Sequence, residues 1–122
     1  MMKPRSKFLV AFAACGLFAQ GASAHAFLDH ASPAVGSSLP KPPAVIRIWF
    51  TQELEPAFST IEVTDQAGKR VDADDVKVDG ADRTQLYETL KPLPPGTYKV
   101  SWRVVSVDTH ATQGTFSFDI GP

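Results

Sequence analysis

The cleanest alternation in the chain runs from Thr97 to Val105, where Tyr98, Val100, Trp102 and Val104 fall on one side and Lys99, Ser101 and Arg103 on the other. Side chains two apart share a face of an extended chain, so this spacing predicts a β-strand with one buried face. Val45 to Phe50 repeats the pattern through Ile46, Ile48 and Phe50, and Thr115 to Ile120 repeats it through Phe116, Phe118 and Ile120. Weaker stretches of the same kind are His25 to Pro33, Phe58 to Thr64 with Ile61 and Val63, Val76 to Val78, and Thr84 to Leu90. After Val104 the apolar positions shift to Val105 and Val107, which predicts a bulge or bend at the strand end.

Breakers separate these runs. Gly36, Ser37, Ser38, Pro40, Pro42 and Pro43 form one loop, and Glu53 to Pro56 predicts a turn or a short helical turn. Asp65-Gln66-Ala67-Gly68 reads as a hairpin turn with Gly68 at positive φ, and Pro92, Pro94, Pro95 and Gly96 make a rigid turn. About seven short strands, with no helical period of useful length, predict an all-β fold: an antiparallel Greek-key β-sandwich or barrel. Neither a repeat nor a second domain is visible.

The first residues differ in kind. Lys3, Arg5 and Lys7 precede an apolar run from Phe8 to about Phe18, and Ala22-Ser23-Ala24 follows. This is the form of a secretory signal peptide, so residues 1–24 are expected to be removed and residues 25–122 to form the mature domain. A lipidated Cys15 would be a rival, but Phe12 is bulky for such a signal and the cut would fall inside the apolar run. No later segment approaches the length needed to cross a bilayer.

Losing three basic residues lowers lysine plus arginine from 12 to 9 against 13 acids, and moves the formal net charge from -1 to -4. Such a mildly acidic chain is a poor nucleic-acid ligand. Cysteine and methionine both leave with the leader, so the mature domain has neither disulfides nor sulfur ligands. The acidic run Asp72, Asp74, Asp75, Asp79, Asp82 lacks the ordered spacing of a calcium loop and reads as a solvated loop face.

The chemistry concentrates on few residues. Asp108 and His110 stand two apart in Val107-Asp108-Thr109-His110, so an extended backbone would aim both at one point. Cleavage after Ala24 would make His25 the N-terminal residue, whose amine and ring nitrogen can chelate one ion together. With His110 and Asp108 this gives three nitrogens and one oxygen, a set suited to tetragonal Cu(II); zinc accepts similar ligands but stands lower in the Irving–Williams order. The plainer reading makes Asp108 and His110 solvated turn residues and the position of His25 a coincidence. His30 lies an odd number of residues from His25 and is expected outside the site, and Trp49 and Trp102 read as packing.

The chain also resembles the CopC-type periplasmic copper-resistance proteins over nearly all of residues 25–122. The resemblance rests on His25-Ala26-Phe27-Leu28, Ser32-Pro33-Ala34-Val35-Gly36-Ser37, Ile48-Trp49-Phe50-Thr51-Gln52 with Phe58-Ser59, and the run from Pro95 to His110 followed by Gly114 and Phe116. It implies a cupredoxin- or immunoglobulin-like barrel that binds Cu(II) through the residues matching His25, Asp108 and His110. Some members also hold Cu(I) on a methionine-rich loop, which this chain lacks, so a member that binds Cu(II) alone is expected. The leading expectation is a monomeric periplasmic carrier or buffer that holds one Cu(II) per chain without catalysis, and the resemblance implies an inner-membrane transporter of the CopD type as its partner. Two other classes are an N-terminal histidine-brace copper monooxygenase and a metal-free interaction module. Asp108 would fill a position that oxygen chemistry needs open, which counts against the enzyme.

Overall fold

Each of the strong alternations forms a strand in the computed structural model, which describes residues 25–122. The leader, Cys15 and the expected cleavage site lie outside the described residues. Among the described residues eight strands are present: β1 (Leu28–Ser32), β2 (Ser38–Leu39), β3 (Val45–Phe50), β4 (Thr60–Thr64), β5 (Lys77–Val78), β6 (Gln85–Thr89), β7 (Gly96–Val105) and β8 (Ala111–Ile120). They form two four-stranded sheets, one in the order β1-β3-β6-β5 and the other β2-β8-β7-β4. All pairings are antiparallel except β2 with β8, which is parallel.

The inner faces carry the predicted residues. Ile46, Ile48 and Phe50 come from β3, Ile61 and Val63 from β4, Tyr98, Val100, Trp102 and Val104 from β7, and Phe116, Phe118 and Ile120 from β8, all buried. Phe50 meets Trp102 edge-on across the sandwich, with ring centroids 5.0 Å apart, an arrangement that aromatic quadrupoles favour. Gly68 turns the chain after β4 at φ 83°, as its position in the hairpin requires.

Several boundaries depart from the sequence reading. The first strand begins at Leu28 rather than His25, and it is bulged between Leu28 and His30. A 3-10 turn occupies Pro56–Phe58, so β4 starts at Thr60 instead of Phe58. The expected change of phase after Val104 does not occur. Ladder pairing of β7 with β8 runs without a slip to Val105, and the next inward position is taken by Ser106, fully buried, while Val107 is exposed. A hydroxyl rather than Val105 or Val107 takes the inward position, and the turn beyond it uses that hydroxyl for hydrogen bonds.

The acidic run also departs from a solvated loop. Asp72 is buried and accepts from the Val63 amide at 2.7 Å and from Arg70 Nε at 2.9 Å. Asp75 accepts from the Thr89 amide, Asp79 from those of Ala81 and Asp82, and Asp82 from Thr84. These aspartates are turn and bridge residues, each accepting from a backbone amide.

Candidate metal centre

Four segments meet at one end of the sandwich: residues 25–27, the 51–59 connection between β3 and β4, the 79–84 connection between β5 and β6, and the 106–110 turn between β7 and β8. Residues 25–27 are fastened to both sheets. Phe27 bonds Thr51 twice, its amide donating to the side-chain Oγ1 at 2.9 Å and its carbonyl accepting from the Thr51 amide at 2.9 Å. On the other side Thr112 Oγ1 donates to the Ala26 carbonyl at 2.6 Å, and the Ala26 side chain is fully buried. With its neighbour anchored in this way, His25 is held over the β7–β8 turn.

The turn itself is tight. Thr109 donates to the Ser106 carbonyl at 2.8 Å, Ser106 to the His110 carbonyl at 3.0 Å, and Val107 to the Glu53 carbonyl at 3.0 Å. Thr109 adopts φ 71°, a left-handed conformation that costs a β-branched residue strain. Asp108 and His110 therefore do not lie on an extended chain. They converge because the turn folds back, which brings His110 Nδ1 to 3.4 Å from Asp108 Oδ1.

Ser106 organises the carboxylate. Its hydroxyl donates to Asp108 Oδ1, and the His110 amide reaches the same hydroxyl at 3.4 Å. The Ser106 hydrogen bond, and after it the neighbouring His110, hold the Asp108 carboxyl below the usual aspartate range. Asp108 is thus ionised throughout the neutral range, and its side chain and that of His110 are each about half exposed. The sequence reading did not single out Ser106. Unbroken alternation from Val104 would have pointed it inward, but the expected change of phase turned it out.

The His25 and His110 rings lie 4.7 Å apart between centroids, inclined at 41°. One end of the molecule thus holds the three residues that the sequence singled out, with His110 beside both His25 and Asp108. His30 does not join them. Its ring stacks flat on Trp49 at 4.3 Å, and its Nδ1 bonds Asp29 at 2.7 Å. Trp102 is core packing, as expected, whereas Trp49 supports His30 from outside.

A second group of possible ligands is Asp72, Asp74 and Glu88, with one oxygen of each within 4.8 Å of the others. Arg70 already lies in this group, bonded to Asp72 at 2.9 Å and Asp74 at 3.0 Å. An internal cation there makes the cluster an ion-pair bridge between segments rather than an open site.

A two-sheet β-sandwich with a nitrogen- and oxygen-rich cluster at one end is a class with many members. This chain belongs to the CopC family, whose domain model matches residues 28–121. It is similar to copper resistance protein C of Xanthomonas campestris pv. juglandis, 37% identical over 117 residues that cover 91% of each chain. It is also similar to the copper transport protein CutJ of Bacillus subtilis, 34% identical over 80% of this chain but only 18% of that much longer protein. Among solved structures, CopC from Methylosinus trichosporium OB3b superimposes with a TM-score of 0.76 at 32% identity, covering 80% of this chain and 95% of that one.

Proposed function

We propose that this protein is a periplasmic Cu(II)-binding protein of copper resistance, which carries or buffers one ion per chain and is not an enzyme. The observation that carries the reading is the approach of His25 and His110 at 4.7 Å with Asp108 3.4 Å from His110. The copper names of its relatives support the metal. Removal of residues 1–24 would free the His25 amine beside its own ring and complete a set of three nitrogens and one oxygen.

That donor set fits the ion. Imidazole, amine and ionised carboxylate favour Cu(II) over earlier divalent ions, and Cu(I) would want the sulfur ligands absent from residues 25–122. Because the side chains are half exposed, a labile ion can enter and leave, which suits cargo better than a resident cofactor. CutJ, in which a segment like this chain forms a small part of a copper transport protein, supports a membrane transporter of the CopD type as recipient or donor.

Electron paramagnetic resonance of the processed protein with one equivalent of Cu(II) tests the site. A single tetragonal species with three nitrogens is expected, and Asp108→Ala and His110→Ala should each weaken binding while leaving the fold intact. Acetylating the His25 amine should lower affinity well beyond the ~10-fold typical of an outer-sphere change. Unchanged affinity in all three would exclude this centre. Peroxide-driven oxidation of cellulose or chitin by the copper-loaded protein would overturn the non-catalytic reading.

A further inference from the structure

The end of the sandwich that holds His25, Asp108 and His110 differs from the rest of the surface in two respects. The first is exposed apolar area. Among the described residues four large hydrophobic side chains are exposed, and three of them, Phe27 at 55%, Phe58 at 62% and Val107 at 46%, lie at this end. Backbone bonds string them along one connection: Phe27 to Thr51, Val107 to Glu53, and Phe58 to Glu55. Folding leaves them in water although each neighbours a buried residue, and such grouping marks contact surfaces.

The second respect is charge. Segments 25–27, 51–59, 79–84 and 106–110 hold Glu53, Glu55, Asp79, Asp82 and Asp108 against Arg83 alone. The remaining residues from 28 onward hold eight acids and eight bases, so the whole net charge of -4 that residues 25–122 carry sits at this one end. Asp82, which accepts from the Thr84 amide and hydroxyl, is held below the ordinary carboxylate range. A bound divalent ion would leave the end still negative.

We propose that this end is the docking surface for a partner protein that presents basic residues around an apolar centre, with Phe27, Phe58 and Val107 as the apolar contact and Glu53 and Glu55 as its charged rim. Its purpose rests on the carrier reading, since cargo held at this end can be passed only to something that touches it; its geometry does not. Charge excludes the other occupants. A second copy of the chain would bring -4 against -4, and anionic lipid or nucleic acid would be repelled likewise.

Photocrosslinking in cells of the source organism tests this, with benzoylphenylalanine replacing Phe58 in one full chain and Val35, exposed at the opposite end, in another. Position 58 should capture one discrete protein that position 35 does not, with the crosslinked peptide flanked by lysine or arginine. Reversing the rim with Glu53→Lys and Glu55→Lys should cut the yield by about 10-fold, as expected when attraction between charged rims becomes repulsion. Equal capture from both positions, capture of nothing, capture of a second copy of this chain, or a yield indifferent to charge reversal would each overturn the proposal. Neither glutamate is among the proposed ligands, so the reversed protein should keep its Cu(II) spectrum. A preserved spectrum without docking rejects the surface alone, and docking without any copper spectrum rejects the carrier reading alone.

Discussion

Ser106 decides whether Asp108 and His110 form a site or merely a turn. Buried completely, it bonds the Asp108 carboxylate through its hydroxyl and closes the turn through its backbone. Replacing it with alanine should free the carboxylate to rotate and let its pKa rise toward the ordinary value. By analogy with other outer-sphere partners of metal ligands, Ser106→Ala should lower Cu(II) affinity about 10-fold while His110 and His25 stay in place. Competition against a chelator, with a carboxyl titration by carbon-13 NMR, measures both effects, and unchanged affinity would remove Ser106 from the site. Residue types marked His25, Asp108 and His110 as candidates, because few side chains bind metal and the chain has only three histidines, two of them among these. Ser106 was not legible, since a serine after a strand has many roles and only the fold shows that its side chain points inward. Thr109 at φ 71° was hidden for a related reason: nothing in its chemistry announces a left-handed turn.

The long hairpin of β7 and β8 is the element that places the turn, and its rigidity depends on one glycine. Gly114 stands opposite Trp102, and a Cβ there would lie 2.6 Å from the indole Cζ2 and 3.0 Å from Cε2. The indole cannot retreat, because Phe50 packs edge-on against it at 5.0 Å. Gly114→Ala should therefore destabilise the domain by about 1–3 kcal/mol through overpacking, despite the better strand propensity of alanine. A thermal midpoint lowered by roughly 4–8 °C per kcal/mol would report it in a domain of this size, and an unchanged midpoint would show that Trp102 can move. Period-two alternation made these strands and their inner faces readable, because burial of one face imposes it. The weak strand expected at Val76 to Val78 is β5, whereas β2 was not readable, since its two residues carry no period and lie in the Gly- and Pro-rich loop. The parallel pairing of β2 with β8 depends on a loop path that spacing does not encode.

At the scale of the molecule, the ionisable groups divide by the pH range in which they act. Glu88 lies buried in β6 with both carboxylate oxygens lacking a hydrogen-bond donor, and Arg70 Nη2 stands 3.9 Å off, too far to bond. Burial first, and the neighbouring Asp72 carboxylate second, push its pKa up to about 8 from 4.5. The folded protein therefore holds a proton that the unfolded chain gives up above pH 4.5, so stability falls as pH rises from 4.5 toward 8. The carboxyls of Asp75, Asp82 and Asp108 behave oppositely. Their lowered values stabilise the fold above pH 3.8, and that contribution is lost only as pH drops below it. Between these limits, mild acid strengthens the fold while protons compete for the proposed copper ligands. Copper should thus leave a folded protein, with circular dichroism unchanged across the pH range in which the Cu(II) spectrum disappears. Glu88→Gln isolates the first term, since the amide fills the same volume, carries no charge and can donate to Asp72 as the protonated acid would. At pH 8 the variant should exceed the parent in stability by roughly 1–4 kcal/mol, given about 1.4 kcal/mol per pKa unit before relaxation, and the gap should close by pH 5. Urea unfolding of both proteins at pH 5, 6.5 and 8 measures this, and a gap that did not change with pH would mean that Glu88 is ionised in the fold and paired with Arg70.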